Sequence, residues 1–263
     1  MTPPAPPRLT ARTEDGRAWP ILLWVPGPGW RMIASAVDGG GLGERGWWLN
    51  TQVDRVYHHP DPAGHVREIA AGLGLGGPGV GLLTAADVQA WTLAEDAGVM
   101  VAATVGLGLP VYAAASEHEI AAETAPRGPG TINVLVIVPV PMSDAALVNA
   151  VITATEAKTQ ALLRAGIPGT GTSSDAVCIA CPREPVELAE PYGGPRSDWG
   201  ARIARAVQGA VSEGARAWLE RHPDGDEHRP WRLCTSEPAV QAGPTAAPAG
   251  PSAATAGQSS RPS

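Results

Sequence analysis

Short apolar runs broken by glycine and proline fill the first half of the chain, and longer periodic ones fill the second. Residues 19–26, 30–37 and 46–56 read as strands, since β-favouring residues cluster there between turn residues. A helix follows over 62–73. Residues 79–84 and 99–105 have the continuous apolar character of buried strands, and 85–96 between them is expected to be a short helix. The second half is clearer: 131–139 (TINVLVIVP) is a β-rich run, 143–165 has helical periodicity, 176–181 is a strand and 199–221 a helix. Strands outnumber helices and do not alternate with them regularly. The pattern therefore predicts an α+β fold, a single domain with a mixed β-sheet and packed helices, rather than a doubly wound nucleotide fold.

The two ends differ from this core. Residues 1–17 are Pro-rich and polar, and 235–263 contain no Leu, Ile or aromatic residue. Neither can bury enough apolar area to offset the entropy of ordering it, so disordered N- and C-terminal tails are expected around a folded unit over 18–234. No internal repeat or linker divides that unit.

The helix over 143–165 carries the first candidate chemistry. Ser143 suits the N-cap and Asp144 the first turn, where a side-chain oxygen and a negative charge meet free amides. On a helical wheel Leu147, Val148, Val151, Ile152, Thr155 and Leu162 form the expected apolar face, and Lys158 falls inside it. Lys158 is the one lysine among 19 basic residues. An ammonium on an apolar face must pair with a carboxylate, lose its proton or meet a polar substrate group; a snorkelling stem is the structural alternative. Asn149, Thr153, Glu156 and Gln160 share the opposite face, where Glu156 is either solvated or the wall of a cleft.

The segment 168–175 (PGTGTSSD) concentrates Thr170, Gly171, Thr172, Ser173, Ser174 and Asp175 between this helix and a strand. Glycine amides and small hydroxyls can surround an oxyanion, and an acid beside them can orient water or a nucleophile. A plain polar turn has the same composition. The segment 35–43 (SAVDGGGLG) is a second glycine loop, with Ser35 at its start and Gly39, Gly40 and Gly41 able to approach a ligand or make a wide hairpin turn. Asn50 ends the WWLN run beside two tryptophans that could wall a planar ligand.

Other signals fail on context. Gly72-x-Gly74-x-x-Gly77 follows a helix and precedes Pro78, the reverse of a dinucleotide fingerprint. His58, His59, Asp61 and His65 lie in a Pro-interrupted stretch without a second cluster, which reads as a surface loop, so no metal site is assigned. Cys178 and Cys181 sit in an apolar run and suit core packing. Three cysteines are too few for a secreted disulfide framework, and with no apolar leader at the start they suggest a cytoplasmic protein. The net charge of −7 argues against nucleic acid as a partner. No breaker-free run of about 18 apolar residues exists to span a membrane.

The run 147–180, with TEAKT at 155–159 and TGTSSDA at 170–176, resembles the signature of the adenosylcobinamide amidohydrolase family. The resemblance extends to SAVDGGGL at 35–42, WLNTQV around Asn50, GLLTAADV at 81–88 (with Thr84), TVGLGLP at 104–110 and INVLVIV at 132–138. Ala34, Gly39 and Ser174 depart from the family pattern. The resemblance implies a hydrolase that cleaves the aminopropanol amide of adenosylcobinamide to adenosylcobyric acid, for salvage of corrinoids into coenzyme B12. The expected partner is a corrinoid small molecule whose cobalt belongs to the substrate, with no further cofactor required; homo-oligomerisation is left open. The expected catalytic residues are Asp175 or Glu156 as the base that activates water or a loop hydroxyl, and Lys158 as the oxyanion stabiliser. Substrate contacts are expected from Ser35, Gly39, Gly40, Gly41, Asn50, Thr84, Thr170, Gly171, Thr172, Ser173 and Ser174. A non-catalytic corrinoid-binding protein and an amidase for another substrate are the alternatives.

Overall fold

A computed structural model describes residues 5–116, 130–183, 189–229 and 231–234. The strands fall into two stacked mixed sheets with helices on both outer faces. The first sheet has the order β1-β2-β5-β6 (Arg8–Glu14, Arg17–Trp24, Trp48–Gln52, Val80–Thr84). The second has the order β4-β3-β12-β10-β8-β7 (Gly41–Glu44, Trp30–Ala34, Ala176–Pro182, Thr131–Ile137, Val99–Gly106, Thr92–Asp96). A two-stranded ribbon pairs β9 (Pro110–Val111) with β11 (Gly171–Thr172). Parallel pairing occurs between β5 and β6 and between β10 and β12; the other pairs are antiparallel.

Strand alternation builds three apolar layers. In β10, Ile132, Val134 and Val136 face helices α2 (Asp144–Arg164) and α3 (Asp198–Arg221), while Leu135 and Ile137 face the first sheet. In β2, Leu22 and Trp24 meet that inter-sheet layer, and Ile21 and Leu23 point outward onto α1 (Pro62–Gly72) with its Val66 and Ile69. Because β8, β10 and β12 are covered on both faces, they are buried throughout, which explains their unbroken apolar sequences.

Three expectations change. Residues 8–14, assigned by composition to a flexible start, form β1 and pair along all seven residues with β2. The Asp15-Gly16 turn that joins them has positive φ at both positions (49° and 73°), a hairpin connection that Asp-Gly favours. The helix expected over 85–96 is instead a single 3-10 turn, Val88–Ala90, followed by strand β7. Ala97-Gly98 closes the β7–β8 hairpin with both residues at positive φ, and alanine there hides the signal. On α2 the buried face is an alanine stripe, with Ala146, Ala150, Ala154, Ala157 and Ala161 beside Leu147 and Leu162. Val148 and Ile152 are half-exposed, and Thr153, expected on the polar face, is buried and donates to Gly193 O (2.8 Å). Small side chains let α2 lie close to the sheet and α3, and close approach decides the face over hydrophobicity. The segment 235–263 lies outside the described residues.

Candidate active site

Helix α2 begins as its sequence requires: Ser143 caps it by accepting from Ala146 N (3.1 Å), and Asp144 occupies the first turn. It ends at Arg164, and Gly166, with a φ of 71°, reverses the chain into the loop 168–175. Thr159 then ties helix to loop by donating to Thr170 O (3.0 Å), and Thr170 N donates to Val111 O (2.9 Å) in the β9–β11 ribbon. The residue before Thr159, on the buried face, is Lys158, which sends its Nζ into the same loop.

There it forms an ion pair with Asp175. The carboxylate also accepts from Ile132 N (2.9 Å), Thr172 N (3.1 Å) and the Thr172 hydroxyl. Four donors fill the roughly four lone-pair sites of a carboxylate, so Asp175 is saturated and fixed. Lys158 is 6% exposed; its ammonium gives one N–H to Asp175, and the other two have no acceptor among the described residues. A cation withdrawn from water and left with spare donors is suited to an oxygen that gains negative charge during a reaction. Gly171 makes this geometry feasible: a Cβ there would lie 2.5 Å from both Lys158 Nζ and Asp175 Oδ2.

The remaining hydroxyls sort by accessibility. Ser174 shares a hydrogen bond with Thr131 (2.8 Å) and donates to Gly130 O (3.2 Å); Thr170 Oγ1 accepts from Ala113 N (2.9 Å). Ser173 is exposed and, among the described residues, has no hydrogen-bond partner. Ser35 is exposed at the end of β3 and accepts from Val177 N (3.1 Å), two residues beyond Asp175. Glu156 is exposed on α2, one turn before Thr159 and on the same side.

Asn50 and Thr84 lie deeper, in the layer between the sheets. Asn50 donates to Thr104 Oγ1 (2.9 Å) and accepts from Asn133 Nδ2 (2.9 Å), while Thr84 Oγ1 accepts from Ala86 N (3.0 Å). Asn133 and Thr104 were missed in the sequence, although an asparagine inside an otherwise apolar β-run was a visible signal. Thr131 and Thr159 were missed as well, and nothing local distinguished them. Gly39, Gly40 and Gly41 serve the β3–β4 hairpin: a Cβ on Gly39 would fall 1.8 Å from Gly79 O, so its closeness is to β6. Among the described residues no group of three or more His, Cys, Asp or Glu is arranged to hold a metal ion. His65 instead sits between Tyr57 (2.9 Å) and Glu14 (3.1 Å). Burial pushes the thiols of Cys178 and Cys181 upward, keeping both protonated in the core. No helix of the described residues is long and apolar enough to cross a membrane.

Fold and site together define a class: a layered α+β scaffold that presents a buried ammonium beside a loop of amides and hydroxyls, equipment for polarising a carbonyl. The family model for adenosylcobinamide amidohydrolase matches residues 6–223. An adenosylcobinamide amidohydrolase of Methanosarcina mazei is 32% identical over 182 residues, 66% of this chain and 85% of the relative. One of Halobacterium salinarum is 33% identical over 211 residues, 76% of this chain and 84% of the relative. The chain belongs to the adenosylcobinamide amidohydrolase family, and as a member it is a hydrolase of amide bonds.

Proposed function

We infer that the protein hydrolyses the amide joining aminopropanol to the corrin ring of adenosylcobinamide, giving adenosylcobyric acid for corrinoid salvage in the cytoplasm. The family match supports the substrate, and the observation that carries the chemistry is the buried Lys158 ammonium with two N–H donors unclaimed among the described residues. Water attacks the amide carbon, negative charge gathers on the carbonyl oxygen, and Lys158 stabilises it together with the loop amides. The C–N bond then breaks, the nitrogen takes a proton, and aminopropanol leaves a carboxylate behind.

Of the two acids, Asp175 already accepts four donors and acts as the positioning group that holds Lys158. Glu156, exposed one turn from the loop-gripping Thr159, is free to take the proton from water. Direct water attack is preferred to an acyl-enzyme because Thr172 and Ser174 are already committed to hydrogen bonds, and Ser173 has no hydrogen-bonded base among the described residues to activate it. The reading assigns no resident cofactor and treats cobalt as part of the substrate.

The test is incubation with adenosylcobinamide followed by mass spectrometry. Equal amounts of adenosylcobyric acid and free aminopropanol are expected. Corrinoid that binds and is recovered unchanged would favour a binding protein; a failure to bind it would exclude the corrinoid as substrate and leave an amidase for another substrate as the reading to test.

A further inference from the structure

At the same end of the molecule, a cleft of about 270 Å³ opens between α3 and the turns after β6 and β8. Arg55, Arg221, His222 and His228 line it above a floor that includes Gly106. It adjoins the loop: a Cβ on Gly130 would lie 3.0 Å from both Gly106 O and Thr172 Cγ2. We propose that this cleft is a second binding site, for the phosphate group of a small anionic ligand.

The cations carry the argument. Arg55 and Arg221 take part in no ion pair among the described residues, so their guanidinium donors remain free. His222 is held by stacking on Trp218 (4.1 Å between centroids) and by Nδ1, which donates to Trp218 O (2.8 Å). A carbonyl only accepts, so the proton is fixed on Nδ1 and Nε2 remains for a ligand. His228 is held likewise, with Nδ1 3.3 Å from Asp226, and the two rings are 5.8 Å apart. Behind them Arg229 is buried, and its Nε and Nη2 have no hydrogen-bond partner among the described residues. It donates from Nη1 to His222 O (3.4 Å) and pairs with Asp224 (2.8 Å).

The acids nearby are mostly engaged. Asp87, the one acid lining the cleft, accepts from Gln89 N (3.0 Å), Asp224 is held by Arg229, and Asp226 and Glu227 flank His228. Two unpaired guanidiniums favour an oxyanion over a metal ion, whose charge they would repel. A neutral imidazole offers Nε2 as a lone pair, whereas an imidazolium donates from it. Nε2 of either ring can therefore engage a phosphate group, through a P–OH or a P–O⁻ oxygen.

Isothermal titration of the full chain with inorganic phosphate tests this without reference to turnover, so its failure is separable from failure of the hydrolase reading. Saturable binding at one site is expected. The exposed pair of changes Arg55→Ala and Arg221→Ala should weaken it at least about tenfold, while Arg164→Ala on α2 leaves it unchanged. A parallel titration with methyl phosphate separates the sources: tighter binding of the ester assigns the site to a phosphate carried on a larger ligand, equal binding to free phosphate. Absent saturation, an unaltered affinity in the arginine variant, or binding of zinc in place of phosphate would overturn the proposal.

Discussion

Lys158 and Asp175 form a pair whose two members are not equivalent. Removing the charge of Asp175 leaves an ammonium buried without a counter-ion, whereas removing Lys158 leaves a carboxylate that still accepts from Ile132 N, Thr172 N and the Thr172 hydroxyl. Asp175→Asn is expected to cost about 3–5 kcal/mol, and Lys158→Met distinctly less, by urea unfolding at constant pH. Equal losses would contradict the clamp. Glu156→Gln should separate chemistry from stability: an exposed helix residue changes unfolding by less than about 0.5 kcal/mol, yet turnover should fall about 10²-fold or more if it takes the proton from water. Full activity in that variant would remove it from the site. The unique lysine and the hydroxyl-rich loop were legible in the sequence. What was not legible is that Asp175 is saturated, because two of its donors are main-chain amides and one belongs to another strand.

At the scale of elements, turn chemistry and side-chain size account for the differences between expectation and structure. Asp15-Gly16 carried an ordinary hairpin signal that the proline-rich composition around it obscured, and Ala97-Gly98 carried a weak one. Helix α2 was placed to within a residue at each end because cap and period agreed, yet its face was rotated because alanine counts little in an apolar pattern. The rotation has a measurable consequence. Leu147→Ala should destabilise by about 2–5 kcal/mol, whereas Ile152→Gln, half-exposed, should fall within about 0.5 kcal/mol of wild type. A loss at Ile152 as large as that at Leu147 would restore the face that hydrophobicity alone suggests.

The whole molecule is a pair of stacked sheets whose central strands are covered on both sides, and the candidate site lies where α2 returns through the loop to β12. The α+β class was legible because the strand and helix patterns were distinct. The division into two sheets was not, since pairing of β3 with β12 and of β5 with β6 joins distant segments. Burial at this scale also governs the thiols: Cys178 and Cys181 are enclosed and held protonated, and Cys234 is exposed. A maleimide reagent at neutral pH should label one thiol per folded chain and all three after denaturation; fast labelling of a second would show that the core around β12 opens. The most direct test of the account is the turnover of adenosylcobinamide by wild type and Lys158→Met, followed by product mass. Adenosylcobyric acid from the wild type, with a rate at least about 10²-fold lower in a folded variant, is the expected result. Equal rates would contradict the central role of the buried ammonium.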